Sequence, residues 1–74
     1  MAGYWLERTL PSGEVKSQGP HRTRWSACQS AGYVIWDNRL GTRKQAGEVA
    51  VRLSTGGDGE PVEFAGYSFR LVQS

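Results

Sequence analysis

The spacing of apolar residues changes several times along this 74-residue chain, and each change marks an expected element. Tyr4-Trp5-Leu6-Glu7-Arg8-Thr9-Leu10 is rich in strand formers. Pro11-Ser12-Gly13-Glu14 follows as a turn, with Pro fixing φ and Gly supplying a positive φ. Val15-Lys16-Ser17-Gln18 is the returning strand, and Gly19-Pro20 ends the hairpin. Thr23 then reads as a helix N-cap ahead of Trp25, Ala27, Cys28 and Ala31, with Gly32 as a left-handed stop. This gives a short helix over 24–31.

Tyr33-Val34-Ile35-Trp36 is β-branched and aromatic, and is assigned to a strand. The competing assignment continues the helix from 23 to 40, because Cys28, Ala31, Ile35 and, at the stripe's edge, Trp36 share a stripe at helical spacing. In that case Gly32 lies mid-helix, at a cost of about 1 kcal/mol relative to Ala. Gly41-Thr42 opens a second helix, in which Ala46, Val49, Ala50 and Leu53 stand at i, i+3, i+4 and i+7. The spacing predicts that these four face the core. Residues 54–59 form a Gly-rich loop. A short strand runs from Pro61 to Phe64. Tyr67, Phe69 and Leu71 alternate with Ser68 and Arg70 in a half-buried strand, and Ala65-Gly66 is the tight turn between the two.

These elements amount to one α+β domain over 1–74. It is a small antiparallel β-sheet of three to five strands with two helices packed on one face. Ala-Gly-Tyr occurs three times, from Ala2, Ala31 and Ala65, and Thr-Arg-x-x-Ala twice, from Thr23 and Thr42. The spacings differ, so shared local grammar explains them better than a structural repeat.

Composition narrows the chemistry. A chain this short buries only about 60% of its unfolded surface, so its three Trp, three Tyr and two Phe are expected mostly in the core. One cysteine, Cys28, cannot close an internal disulfide, and one His with one Cys cannot make a four-ligand zinc site. No metal or other cofactor is expected. Cys28 paired with His21 as nucleophile and base is outweighed by a structural role for a cysteine on a buried stripe. Neither a carboxylate pair nor a phosphate-binding glycine loop is forced by the spacing, so an enzyme is not expected. No apolar run approaches a membrane span. The lone thiol, and an N-terminus without the basic-then-apolar layout of a secretion signal, favour the cytoplasm.

The net charge is +2. Residues 1–44 hold seven basic side chains against three acidic ones, a net of +4, while residues 45–74 hold two against four, a net of −2. Both expected helices begin with basic residues: Arg22 and Arg24 around the Thr23 cap, Arg43 and Lys44 after the Thr42 cap. Cations oppose the positive end of a helix by about 0.3–1 kcal/mol each, so their placement fits an anion docking at those ends. The candidate binding residues are therefore Arg22, Arg24, Trp25, Arg39, Arg43 and Lys44, with Arg24 and Arg43 expected on a shared anionic partner.

Two function classes follow. A non-enzymatic adaptor or inhibitor acting by protein–protein contact suits the small size and the surplus of Trp and Arg. A nucleic-acid-binding or regulatory module contacting phosphates is the alternative, against a mild net charge and no recognisable binding motif. Self-association fits either class. Small size without motifs suits an accessory protein of a phage or mobile element, an expectation that no particular residue carries.

Overall fold

Two β-hairpins enclose a helical hairpin in chain order. The computed structural model describes residues 3–57 and 59–73. Ala2 of the first Ala-Gly-Tyr copy and Asp58 of the Gly-rich loop lie outside that range. The elements are β1 (Tyr4–Thr9), β2 (Val15–His21), α1 (Arg24–Asp37), α2 (Arg43–Thr55), β3 (Val62–Phe64) and β4 (Tyr67–Gln73). The four strands form one antiparallel sheet in the order β2-β1-β4-β3, and both helices contact it, α1 over β1 and β2, α2 over β3. The expected α+β architecture is the one observed.

Local chemistry accounts for most of the boundaries. In the first hairpin, Gly13 takes φ +93° and its N–H donates to Leu10 O at 2.8 Å, while Leu10 N–H donates to Glu14 O. The strand β2 runs on through Gly19-Pro20, whose peptide bond is cis, to His21. The hairpin therefore ends three residues later than the Gly-Pro pair implied, and a register shift opposite Tyr4 to Leu6 accommodates the extension. Ala65 and Gly66 both have positive φ, +53° and +82°, as a two-residue hairpin turn of the I′ kind requires.

Residues 33–36 are helical, so the strand expected there is wrong and the continuous helix is right. Gly32 is not a left-handed stop. A Cβ there would lie 3.2 Å from Ala46 O, so its missing side chain lets α2 approach α1. That close packing offsets the poor helix propensity of glycine. Val34 and Ile35 extend the buried stripe of Ala27, Cys28 and Ala31. The helix stops instead at Arg39, which takes φ +55°. Leu40 N–H donates to Ile35 O at 2.9 Å and Arg39 N–H to Trp36 O at 3.1 Å, the paired bonds of a Schellman motif, with Leu40 packed on the core. Both predicted N-caps are present. Thr23 Oγ1 accepts from Ser26 N–H, and Thr42 forms a full capping box with Gln45.

The core lies between the helices and the sheet: Leu6, Phe69, Leu71 and Val62 below, Ala27, Cys28, Ala31, Val34 and Ile35 from α1, and Ala46, Val49, Ala50 and Leu53 from α2. The four α2 positions read from the sequence all face inward. The aromatic expectation is met in part: Phe69 is fully buried and Tyr4, Phe64 and Tyr67 pack against the core, whereas Trp25, Tyr33 and Trp36 are exposed. Small side chains on the facing helices bring them close, so aliphatic residues fill the space that was assigned to tryptophan.

Candidate functional site

Helix α1 carries no charged side chain from Trp25 to Trp36. Such a stretch on a surface helix leaves an apolar outward face as well as an apolar inward one. The inward stripe is the core. The outward stripe is Trp25, Tyr33 and Trp36, 46%, 61% and 49% exposed. In a chain that buries little, leaving three large rings half in water forgoes substantial stabilisation, since each full burial is worth about 1.5–3 kcal/mol.

These rings flank a groove of about 360 Å³ between the helices. Gly32 from α1 and Ala46, Gly47 and Ala50 from α2 lie along it with Trp25, Gln29, Tyr33 and Trp36. Gly47 differs from Gly32: a Cβ built there meets nothing within 4 Å. Its φ is not left-handed. No contact within the chain explains a glycine there, although it costs the helix about 1 kcal/mol relative to Ala. Asp37 and Arg43 close one end of the groove, and the Arg43 guanidinium lies over the Trp36 ring, 5.8 Å from its centroid. A second cleft, lined by Arg39, Gly41, Thr42 and Gln45, shares Trp36 and Asp37 with the groove.

The six candidate residues separate into two groups. The helices run antiparallel, so Arg22, Arg24 and Trp25 sit at one end and Arg39, Arg43 and Lys44 at the other. A 14-residue helix spans about 20 Å at 1.5 Å per residue, so Arg24 and Arg43 do not converge on one small anion. The Arg24 guanidinium is turned onto the C-terminal end of α2. Its Nη2 donates to Leu53 O at 3.1 Å and to Gly56 O at 2.6 Å, and its Nη1 to Ser54 O. Its cationic charge meets the negative pole of α2 while the last carbonyls gain donors. This accounts for Arg24 at a helix start without any ligand. Arg22 is exposed beside it. Arg39, Arg43 and Lys44 are exposed, and among the described residues none of the three is ion-paired.

The structure also places the charge asymmetry in space. Residues 22–55, which hold both helices, carry six basic side chains against two acidic ones, a net of +4. The remainder, which holds the strands, carries three against five, a net of −2. The basic surplus therefore belongs to the helical layer.

A polar cluster that the sequence did not point to lies at the end of β2. His21 Nδ1 lies 3.3 Å from Tyr4 O, within hydrogen-bond reach. Its Nε2 lies 2.7 Å from Ser30 Oγ, whose hydroxyl also reaches Ser26 O at 3.4 Å. Ser30 is buried, and the pair ties α1 to the first hairpin. Cys28 is fully buried in the core. Among the described residues no three His, Cys, Asp or Glu side chains gather as a metal site requires, and no helix is long and apolar enough to cross a membrane.

Sequence reasoning found Trp25 and the cations around the groove but missed Tyr33, Trp36 and Gly47. The signal was present in the charge-free interval 25–36, drawn as a helix with two apolar stripes. Comparison with known protein families, characterised proteins and solved structures returns no match, so the site rests on its own geometry.

Proposed function

We propose that this protein is a small interaction module that acts by protein–protein contact through the outer groove of its helical hairpin. The observation that carries this reading is the uncharged outward face of α1, with Trp25, Tyr33 and Trp36 half exposed around a Gly/Ala floor. Tryptophan, tyrosine and arginine dominate binding hot spots, and here two Trp, one Tyr and Arg43 stand together. An exposed apolar patch of this kind on a small chain marks an interaction surface.

The test compares wild type with Trp25→Ala, Tyr33→Ala and Trp36→Ala in quantitative co-purification from the source cell, with folding checked by circular dichroism. The rings are half exposed, so each variant keeps its fold. At least two of the three are expected to lower recovery of the same partner tenfold or more, the hot-spot range. Undiminished recovery with all three variants overturns the reading.

A second reading is supported by the +4 net charge of residues 22–55. Aromatic rings beside cations also suit bases and phosphates of single-stranded nucleic acid. Anisotropy with a labelled oligonucleotide at two salt concentrations tests it, since phosphate contacts weaken steeply with salt.

A further inference from the structure

Resting on the reading of the groove as a protein-binding surface, we infer that its occupant is a single amphipathic α-helix with acidic residues clustered at one end. Three features of the groove define that occupant.

The first is the groove's lack of backbone hydrogen-bonding partners. Gly32, Ala46, Gly47 and Ala50 all lie inside helices, where N–H and C=O groups bond within the helix. An extended peptide laid there would bury its own backbone groups unpaired, which costs about as much as losing those hydrogen bonds. A helix satisfies its backbone internally and sets its side chains between two existing helices, ridges into grooves. Trp25 to Trp36 spans three turns, about 16 Å, room for about 11 residues of helical occupant at 1.5 Å per residue.

The second is Gly47. Its missing Cβ serves no contact within the chain, yet it lies in the groove where another backbone would approach closely. Glycine at such a place lets two helices meet, as Gly32 does between α1 and α2.

The third is charge. Arg43 and Arg39 line one end beside Asp37, and Lys44 follows Arg43 in the first turn of α2. Arg39 holds a left-handed conformation, in which a non-glycine residue costs about 1–2 kcal/mol. Arginine is kept where glycine would be more stable. Arg43 lies at the positive pole of α2, where an acid would be more stable. Both departures put cations at the same mouth. Carboxylates at one end of an occupant complement them and steer its approach. A second copy of this chain would bring one +4 helical layer against another, so self-pairing through this face is opposed. Single-stranded nucleic acid needs cations that track the whole strand. Here the cations that line the groove and its adjoining cleft, Arg43 and Arg39, stand at one end; at the other, Arg24 is engaged with α2 and the exposed Arg22 is not part of the lining.

The experiment pans a displayed library of random peptides of about 16 residues on the full chain, and counter-selects with Gly47→Leu, whose side chain fills the groove from a position with free space. Thermal melts confirm that Gly47→Leu is folded, and Trp36→Ala serves as a second groove variant. Binders that lose tenfold or more with both variants, carry two or more Asp or Glu at one end of an apolar i, i+4, i+7 stripe, and weaken about three- to tenfold with Arg43→Gln bear the inference out. Groove-dependent binders without acidic preference overturn the acidic occupant and leave the groove reading standing. A yield of no groove-dependent binders overturns both. An oligo(dT) probe that binds more tightly than the peptides and displaces them overturns the helix in favour of nucleic acid.

Discussion

Replacing Arg24 with Ala is predicted to destabilise the fold by about 2 kcal/mol, within a range of about 1.5–3 kcal/mol set by charge-assisted hydrogen bonds. The guanidinium serves Leu53 O, Ser54 O and Gly56 O together. Three independent bonds would give more, but one side chain supplies all three and Arg24 is only half-buried, so water partly replaces it. The loss therefore approaches that of one strong bond plus the dipole interaction at the α2 terminus. A chain of this length is stable by about 4–11 kcal/mol, so the change is a sizeable fraction of the total. At about 4–8 °C per kcal/mol, the melting temperature falls by about 8–16 °C. Urea denaturation followed by tryptophan fluorescence and by circular dichroism measures it, with an unchanged m-value showing that the compared states are the same. Arg24→Lys keeps the charge without the planar fork and should recover about half the loss. The exposed neighbour Arg22→Ala should stay within about 0.5 kcal/mol. A loss below about 0.5 kcal/mol for Arg24→Ala would refute its role as the clamp on α2, and would return it to the set of candidate ligand contacts.

Leu53→Ala removes a core side chain 2% exposed and should cost about 2–5 kcal/mol by urea titration; a loss under about 0.5 kcal/mol would contradict the packing of α2. Ala65 sits at φ +53° in the β3–β4 turn, so Ala65→Gly should raise stability by about 0.5–1 kcal/mol, and a decrease would mean the turn geometry is wrong. The two helical glycines should respond oppositely. Gly47→Ala gains about 0.5–1 kcal/mol, because its Cβ meets nothing, whereas Gly32→Leu loses about 1–3 kcal/mol against Ala46; equal effects would show that Gly32 has no packing role.

Where a structural rule acts within a few residues, the sequence was legible. Pro11 with Gly13, Ala65 with Gly66, the Thr23 and Thr42 caps, and the i, i+3, i+4, i+7 spacing of α2 all work locally. Helix α1 was misread because its two determinants are distant. Gly32 looks like a stop until Ala46 is seen against it. The actual stop, Arg39, takes a glycine's conformation without being glycine. Val34 and Ile35 favour strands by propensity, and packing on the core overrides that preference. The site was half legible for a related reason. A helix with two apolar stripes shows little amphipathic contrast, so Tyr33 and Trp36 gave no periodic signal against a polar face. Arg24 looked anomalous because the carbonyls that explain it lie about thirty residues downstream.

The claim that the helical groove is the contact surface is tested most directly by site-specific photo-crosslinking in the source cell, with a photoreactive phenylalanine analogue placed once at Tyr33 and once at Val72 on the sheet. Both positions are exposed, so neither insertion disturbs the core. A discrete protein adduct from position 33, absent from position 72 and lost when Gly47→Leu is combined with it, is the predicted result. Adducts from position 72 with none from position 33 would contradict the account and move the contact surface to the sheet.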